Sequence, residues 1–223
     1  MLDRGNAPPG AARGEGTAAS SEPGGGAGEA IRRLPIPPGP PGVHHAFSEN
    51  QIVSKTWLTD KVHEILGGRF GTVYVLGGWY GVLGAILLND PKFRIGQVLS
   101  FDIDPECVPV AEHLNAKHVA SKRFRAITAD ARTLDYQSFD GTENNLVINT
   151  SCEHMPSAEA WYERLPAGIS QAFQSNDYFD CPEHVNCIED LAAFRRQVPM
   201  SELLYEGALQ RKRYSRFMLI GRK

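Results

Sequence analysis

No stretch of this 223-residue chain offers the run of about 20 apolar residues that a membrane-spanning helix requires. Its beginning also lacks the apolar centre of a secretory signal. Asp3, Glu15, Glu22 and Glu29 are acids that an organellar transit peptide avoids. Cysteine is sparse: Cys107, Cys152, Cys181 and Cys187 are the full set. In a chain of this length without a signal, that count points to free thiols in a reducing compartment, taken here as the cytoplasm. An excess of either charge is also lacking, since 23 Lys and Arg against 26 Asp and Glu leave a net of −3. Whole-molecule attraction to nucleic acid or a membrane surface is therefore not expected, and a small-molecule partner is favoured. The basic residues that gather late (Arg195, Arg196, Arg211, Lys212, Arg213, Arg216, Arg222 and Lys223) read as a solvated face, with a local anionic partner as the alternative.

Residues 1–43 are dominated by Gly, Ala, Pro and Ser, as in GAARGEGTAASSEPGGGAGEA and LPIPPGPPG. So little apolar surface cannot offset the entropy of ordering the backbone, and a disordered tail is expected there. Residues 44–223 are enough for one domain with a buried core.

Within that domain, Ser48 to Leu66 has helical spacing, with Ser48 as N-cap and Gly67-Gly68 as stop. Thr72 to Leu76 reads as a buried strand running into Gly77, Gly78, Gly81 and Gly84, followed by an apolar helix from Val82 to Leu88. Further strands are expected at Gln97 to Ile103, Phe124 to Ala129, Leu146 to Asn149 and Ile169 to Gln174. Helices are expected at Pro105 to Ala120, Pro156 to Arg164 and Ile188 to Arg196, with a polar connection at Leu134 to Thr142. Glu202 to Gln210 and Tyr214 to Gly221 close the chain as a strand pair. Strands alternating with helices imply an α/β fold, a doubly wound, mostly parallel, Rossmann-like sheet with an antiparallel C-terminal pair. Ligands of such sheets bind outside the carboxyl ends of the strands.

A strand, a glycine turn and a helix N-terminus let backbone approach a nucleotide-like ligand without Cβ atoms in the way. Asp102 lies 25 residues beyond Gly77 at the end of the next strand, where a carboxylate can accept bonds from vicinal ribose hydroxyls. Asp130 ends the third strand and can accept a bond from an adenine amino group. The glycine spacing needed by a nicotinamide-dependent dehydrogenase fails: counted from Gly77, the third and sixth positions are Trp79 and Val82.

Taken in order from Val73 to Met155, VYVLGGWYG, SFDIDPECVPVAEHLN, ITADARTL and NLVINTSCEHM resemble the successive motifs of the class I S-adenosylmethionine-dependent methyltransferases. The resemblance implies S-adenosylmethionine as cofactor and methyl transfer as the activity. It brings Gly77, Gly78 and Gly81 to the methionine part, with Trp79 and Tyr80 shaping that end. Asp102 and Ile103 fall at the ribose, Asp130 and Ala131 at the adenine, and Asn149 at the fourth strand's exit. Val75 stands where the family carries an acid, and Trp79 where it has its middle glycine. A binding protein or partner subunit with this fold and no chemistry is the alternative.

On the reacting side, Glu153 and His154 follow the fourth strand and are candidates for removing the acceptor's proton, or for capping the next helix. Asn176, Tyr178 and His184, in the loop Ser175 to Cys187, are expected to line the acceptor's pocket. The Cys181-x2-His184-x2-Cys187 spacing, even with Cys152 and His154 nearby, matches no common zinc pattern, and no metal is expected. A nucleophilic Cys152 beside His154 is the remaining reading of this segment.

Overall fold

Short apolar runs such as LVIN have no polar face to offer solvent, so they require cover on both sides, and the chain supplies it with helices. The computed structural model describes residues 39–40, 42–139 and 144–223. The expected tail up to residue 38, and residues 140–142 of the expected polar connection, lie outside them. The chain runs α1 (Val43–Ala46), α2 (Glu49–Leu66), β1 (Arg69–Leu76), α3 (Val82–Asn89), β2 (Arg94–Asp102), α4 (Cys107–Leu114), α5 (Ala116–Ala120), β3 (Phe124–Thr128) and β4 (Leu146–Asn149). It continues with α6 (Ala158–Glu163), β5 (Ser170–Asn176), α7 (Leu191–Gln197), β6 (Glu202–Gln210) and β7 (Ser215–Arg222), and single 3-10 turns occur at Tyr136–Ser138 and Cys152–His154.

The strands form one seven-stranded sheet in the order β3-β2-β1-β4-β5-β7-β6. β1 to β5 are parallel, while β7 runs antiparallel between β5 and β6. Alternation along β1 divides the core. Val73 and Val75 point to the face covered by Leu58 and Val62 of α2 and by Leu83 and Leu87 of α3. Tyr74 and Leu76 point to the other, packed with Trp161 of α6, Phe194 of α7, and Tyr136 and Phe139 of the expected polar connection. That connection is thus anchored by two buried aromatic rings, which its polar neighbours obscured in the sequence.

Two boundaries differ from expectation for identifiable reasons. Val43, assigned by composition to the tail, is buried with Tyr80, Cys107 and Val110. The single helix expected over Pro105 to Ala120 is divided at Asn115, which is 1% exposed. Its side-chain amide donates to the carbonyls of Ala111 (2.9 Å) and Gly81 (3.1 Å), exchanging helical continuity for a tie to the glycine turn.

Register aligns the strand exits on one edge. Leu76 pairs with both Phe101 and Asn149, Asp102 with Thr128, and Asn149 with Phe173. The glycine turn, Asp102, Asp130, the segment Asn149 to His154 and Asn176 therefore share the carboxyl edge. Among the described residues, no helix is long and apolar enough to cross a membrane.

Candidate functional site

The turn after β1 has positive φ at three places: Gly77 (62°), Trp79 (47°) and Gly81 (74°). Two are glycines, which take this region freely; Trp79 is not, and it holds the conformation at the position where the resemblance places a glycine. Asp102 supports that strained residue. Its Oδ2 accepts the Trp79 backbone N–H at 2.7 Å and its Oδ1 accepts the Asp104 N–H at 3.1 Å. Gly78 has no room for a side chain, because a Cβ there would lie 1.9 Å from Ser100 Oγ.

Beyond Asp102, Ile103 is 63% exposed, a large apolar side chain left in the open beside a carboxylate. Asp130 is bound by Arg132, whose Nε and Nη2 donate to its oxygens at 3.0 and 2.6 Å, and the guanidinium holds its carboxyl below the usual range. Ala131 is buried next to it. Tyr80 departs from the expected role: its ring is buried in the cluster with Val43 and Ala46, so it builds the wall behind the turn. The partly exposed Trp79 stacks on it with ring centroids 5.0 Å apart.

Across the edge, Asn149 is fully buried. Its Nδ2 donates to Met155 Sδ (3.1 Å), and its Oδ1 accepts the Ser151 N–H (2.8 Å). These bonds shape the turn that delivers Glu153 and His154. Glu153 is 2% exposed. Its Oε1 accepts from Asn176 Nδ2 (2.6 Å) and Arg216 Nη1 (3.2 Å), while Oε2 has no partner among the described residues. A carboxylate so paired and enclosed is an anchor, which corrects the expectation of a free proton acceptor. Asn176 is corrected in the same way: its amide serves Glu153, and its oxygen accepts the Tyr178 N–H at 2.9 Å.

His154 is exposed and its Nδ1 lies 3.0 Å from the Glu183 carbonyl; His184 Nδ1 lies 3.0 Å from the Tyr178 carbonyl. A carbonyl only accepts, so each Nδ1 carries the proton. The two rings meet edge to face at 4.7 Å, and Tyr178 packs edge-on against His184 at 5.9 Å. Burial keeps the His184 pKa below that of a free imidazole. Cys152 is fully buried, its thiol is pushed far up by burial, and its Sγ faces the Asn149 carbonyl, so the nucleophile reading is withdrawn.

The residues that sequence reasoning missed here are Arg216 on β7 and Lys55 on α2. Both are buried, and Lys55, bonded to Gln51, has its pKa lowered to about 7 by burial and by Arg216's charge. In the sequence Arg216 sits among basic residues that read as a solvated face. Only its place at the head of the apolar run Phe217 to Ile220 of β7 hinted otherwise.

No family model matches the chain, and no curated protein sequence does. Solved structures do. The N-methyltransferase NodS of Bradyrhizobium japonicum WM9 in complex with S-adenosyl-L-homocysteine aligns with a TM-score of 0.58 at 9% identity, over 88% of this chain and 97% of that one. The chain has the class I methyltransferase fold. Magnesium protoporphyrin IX methyltransferase (ChlM) of Synechocystis PCC 6803, with bound S-adenosylmethionine, aligns at 0.55 and 16% identity over 87% of this chain and 91% of its own. A sarcosine dimethylglycine methyltransferase, so assigned in Galdieria sulphuraria, aligns at 0.54 and 15% identity over 74% and 66%. At these identities the likeness is one of fold.

Proposed function

We propose that this chain is an S-adenosylmethionine-dependent methyltransferase acting on a small-molecule acceptor. The observation that carries the reading is the joint geometry of the first two strand exits, where Asp102 fixes the strained Trp79 amide and leaves Ile103 exposed beside it. The residues present suit such a cofactor. Gly77 opens the backbone where a Cβ would lie 3.0 Å from Ser151, each Asp102 oxygen keeps a lone pair beyond its amide bond for a ribose hydroxyl, and Ile103 offers an apolar face to a base. Val75 is buried on the sheet face, so the contact to the cofactor's amino group falls to other atoms of the turn.

When bound, the cofactor supplies an activated methyl group on sulfur. The chain's own contribution is placement, since in-line approach accounts for most of what such a reaction requires. Glu153, His154, Tyr178 and His184 border the acceptor's side, with Asn149 and Asn176 holding the turns that carry them.

Calorimetry tests the reading. S-adenosylhomocysteine should bind the full chain, Asp102→Ala should abolish binding, and Ile103→Ser, at an exposed position with no folding role, should weaken it. Absence of binding at millimolar ligand overturns the proposal. Transfer of label from methyl-labelled S-adenosylmethionine into the small-molecule fraction of a cell extract should then reveal the acceptor class.

A further inference from the structure

Glu153 and His154 leave β4 and His184 leaves the loop after β5, yet one ligand atom from each lies within 4.8 Å of the others. Several independent features of this cluster point to a cation. The Glu153 Oε2 is buried and unpartnered among the described residues, although a carboxylate oxygen in that position needs a counterpart. Its Oε1 is held by Asn176 and Arg216, the kind of outer bonding that orients a ligating carboxylate. Both imidazoles give their Nδ1 proton to a backbone carbonyl, of Glu183 and of Tyr178, which fixes the tautomer and leaves Nε2 as a lone pair.

We propose that Glu153, His154 and His184 form a binding site for one transition-metal dication of the zinc or manganese type. Two nitrogens and one carboxylate oxygen suit zinc, manganese, iron or cobalt, whereas magnesium and calcium favour sites made of oxygen. Metal–ligand bonds of about 2.0–2.2 Å place tetrahedral ligand atoms roughly 3.4 Å apart, so closure asks for a shift of up to about 1.5 Å. The exposed ring of His154 can make that shift by rotation. Three protein ligands leave at least one position open, on the solvent side of His154, for water or for an oxygen of the acceptor.

The thiols are not the ligands. Cys152 is buried against the Asn149 carbonyl, Cys181 Sγ bonds the Glu183 carboxylate at 3.0 Å, and Cys187 Sγ lies 3.7 Å from His184 Nδ1, the edge of the ring that carries its proton. The proposed site thus departs both from the expectation of no metal and from the Cys/His set weighed in the sequence.

Metal binding itself stands apart from the methyltransferase reading; only the role of the open position rests on it. The test is titration of the chelator-treated full chain with zinc alone and with manganese alone. One ion should bind per chain. His154→Ala and His184→Ala should each weaken binding at least about 100-fold, beyond the roughly 10–100-fold that outer-shell changes cost. His113→Ala, on an exposed face of α4, should leave it unchanged. Glu153→Gln should weaken it as the histidine variants do, with circular dichroism checking its fold; the histidine variants decide if it does not fold. No saturable binding by either ion, binding that survives His154→Ala with His184→Ala, or loss only with Cys181→Ser and Cys187→Ser overturns the proposal. A chain that binds S-adenosylhomocysteine but no metal overturns this inference alone. One that binds metal but not S-adenosylhomocysteine overturns the methyltransferase reading alone.

Discussion

On the β1–β3 half of the carboxyl edge the candidate contacts are backbone amides at left-handed φ, one partly exposed aspartate and one exposed isoleucine. On the β4–β5–β7 half they are charges taken out of water: Glu153, Arg216 and Lys55 are 2%, 6% and 8% exposed. The first half resists change wherever a Cβ would collide, and tolerates it elsewhere. The second resists loss of either member of the Glu153–Arg216 pair, because the partner left behind is buried without compensation. The proposed cofactor side is built of backbone, whereas the proposed acceptor side depends on specific side chains meeting at a distance.

The largest test of that contrast is Arg216→Met. It strands the Glu153 carboxylate and should destabilise the fold by about 3–5 kcal/mol in urea denaturation. Arg216→Met with Glu153→Gln should cost distinctly less, since no unpaired charge remains.

Lys55 gives the pH dependence. Its folded pKa of about 7 lies below the unfolded value, so between about pH 7 and 10.5 the unfolded chain holds a proton that the folded chain lacks. Stability contributed at this site therefore rises with pH through that window, and the cost of burying the amine is full below it. Lys55→Met should stabilise the protein more at pH 6 than at pH 10, with a difference on the order of a few kcal/mol by chemical denaturation. Equal stabilisation at both pH values would show that the amine is charged in both folded states.

On the backbone-built half, Gly78→Ala should cost about 1–3 kcal/mol through collision with Ser100. Ser100→Ala in addition should recover part of it, because the nearest atom then becomes the Ser100 Cβ position at 3.2 Å. The smallest effect is expected from Asn115→Ala. It removes the side-chain bonds to Gly81 and Ala111, whose carbonyls keep the backbone amides of Ala85 and Asn115 as donors, so at about 0.5–1.5 kcal/mol it should loosen the glycine turn without abolishing folding. Faster amide exchange at Gly81 and Val82 would be the signature.

The difference between the halves also explains what the sequence discloses. Thr72 to Leu76, LVIN and the glycine turn are local patterns set by period and turn chemistry, and β4 occupies Leu146–Asn149 as expected. Ser48 stands at the N-cap of α2 without a side-chain capping bond, and Gly67 ends that helix at positive φ. Asp102 was findable because strand length and crossover length fix its distance from the turn. Arg216 was hidden because its partner lies 63 residues earlier. Asn176 and Tyr80 were mistaken for ligand contacts because polarity and neighbourhood cannot tell a side chain facing a pocket from one that braces the pocket's wall. The Glu153–His154–His184 grouping needed the pairing of β4 with β5 before its members could be seen together.

The insertion of β7 between β5 and β6 has a consequence for order of assembly. A chain made from its N-terminus outward presents β1 to β5, and with them Glu153, before the strand carrying Arg216 exists. Without that last strand the Glu153 carboxylate has no guanidinium and the edge of β5 is unpaired. Pairing of the β5 edge and neutralisation of Glu153 thus depend on the same strand.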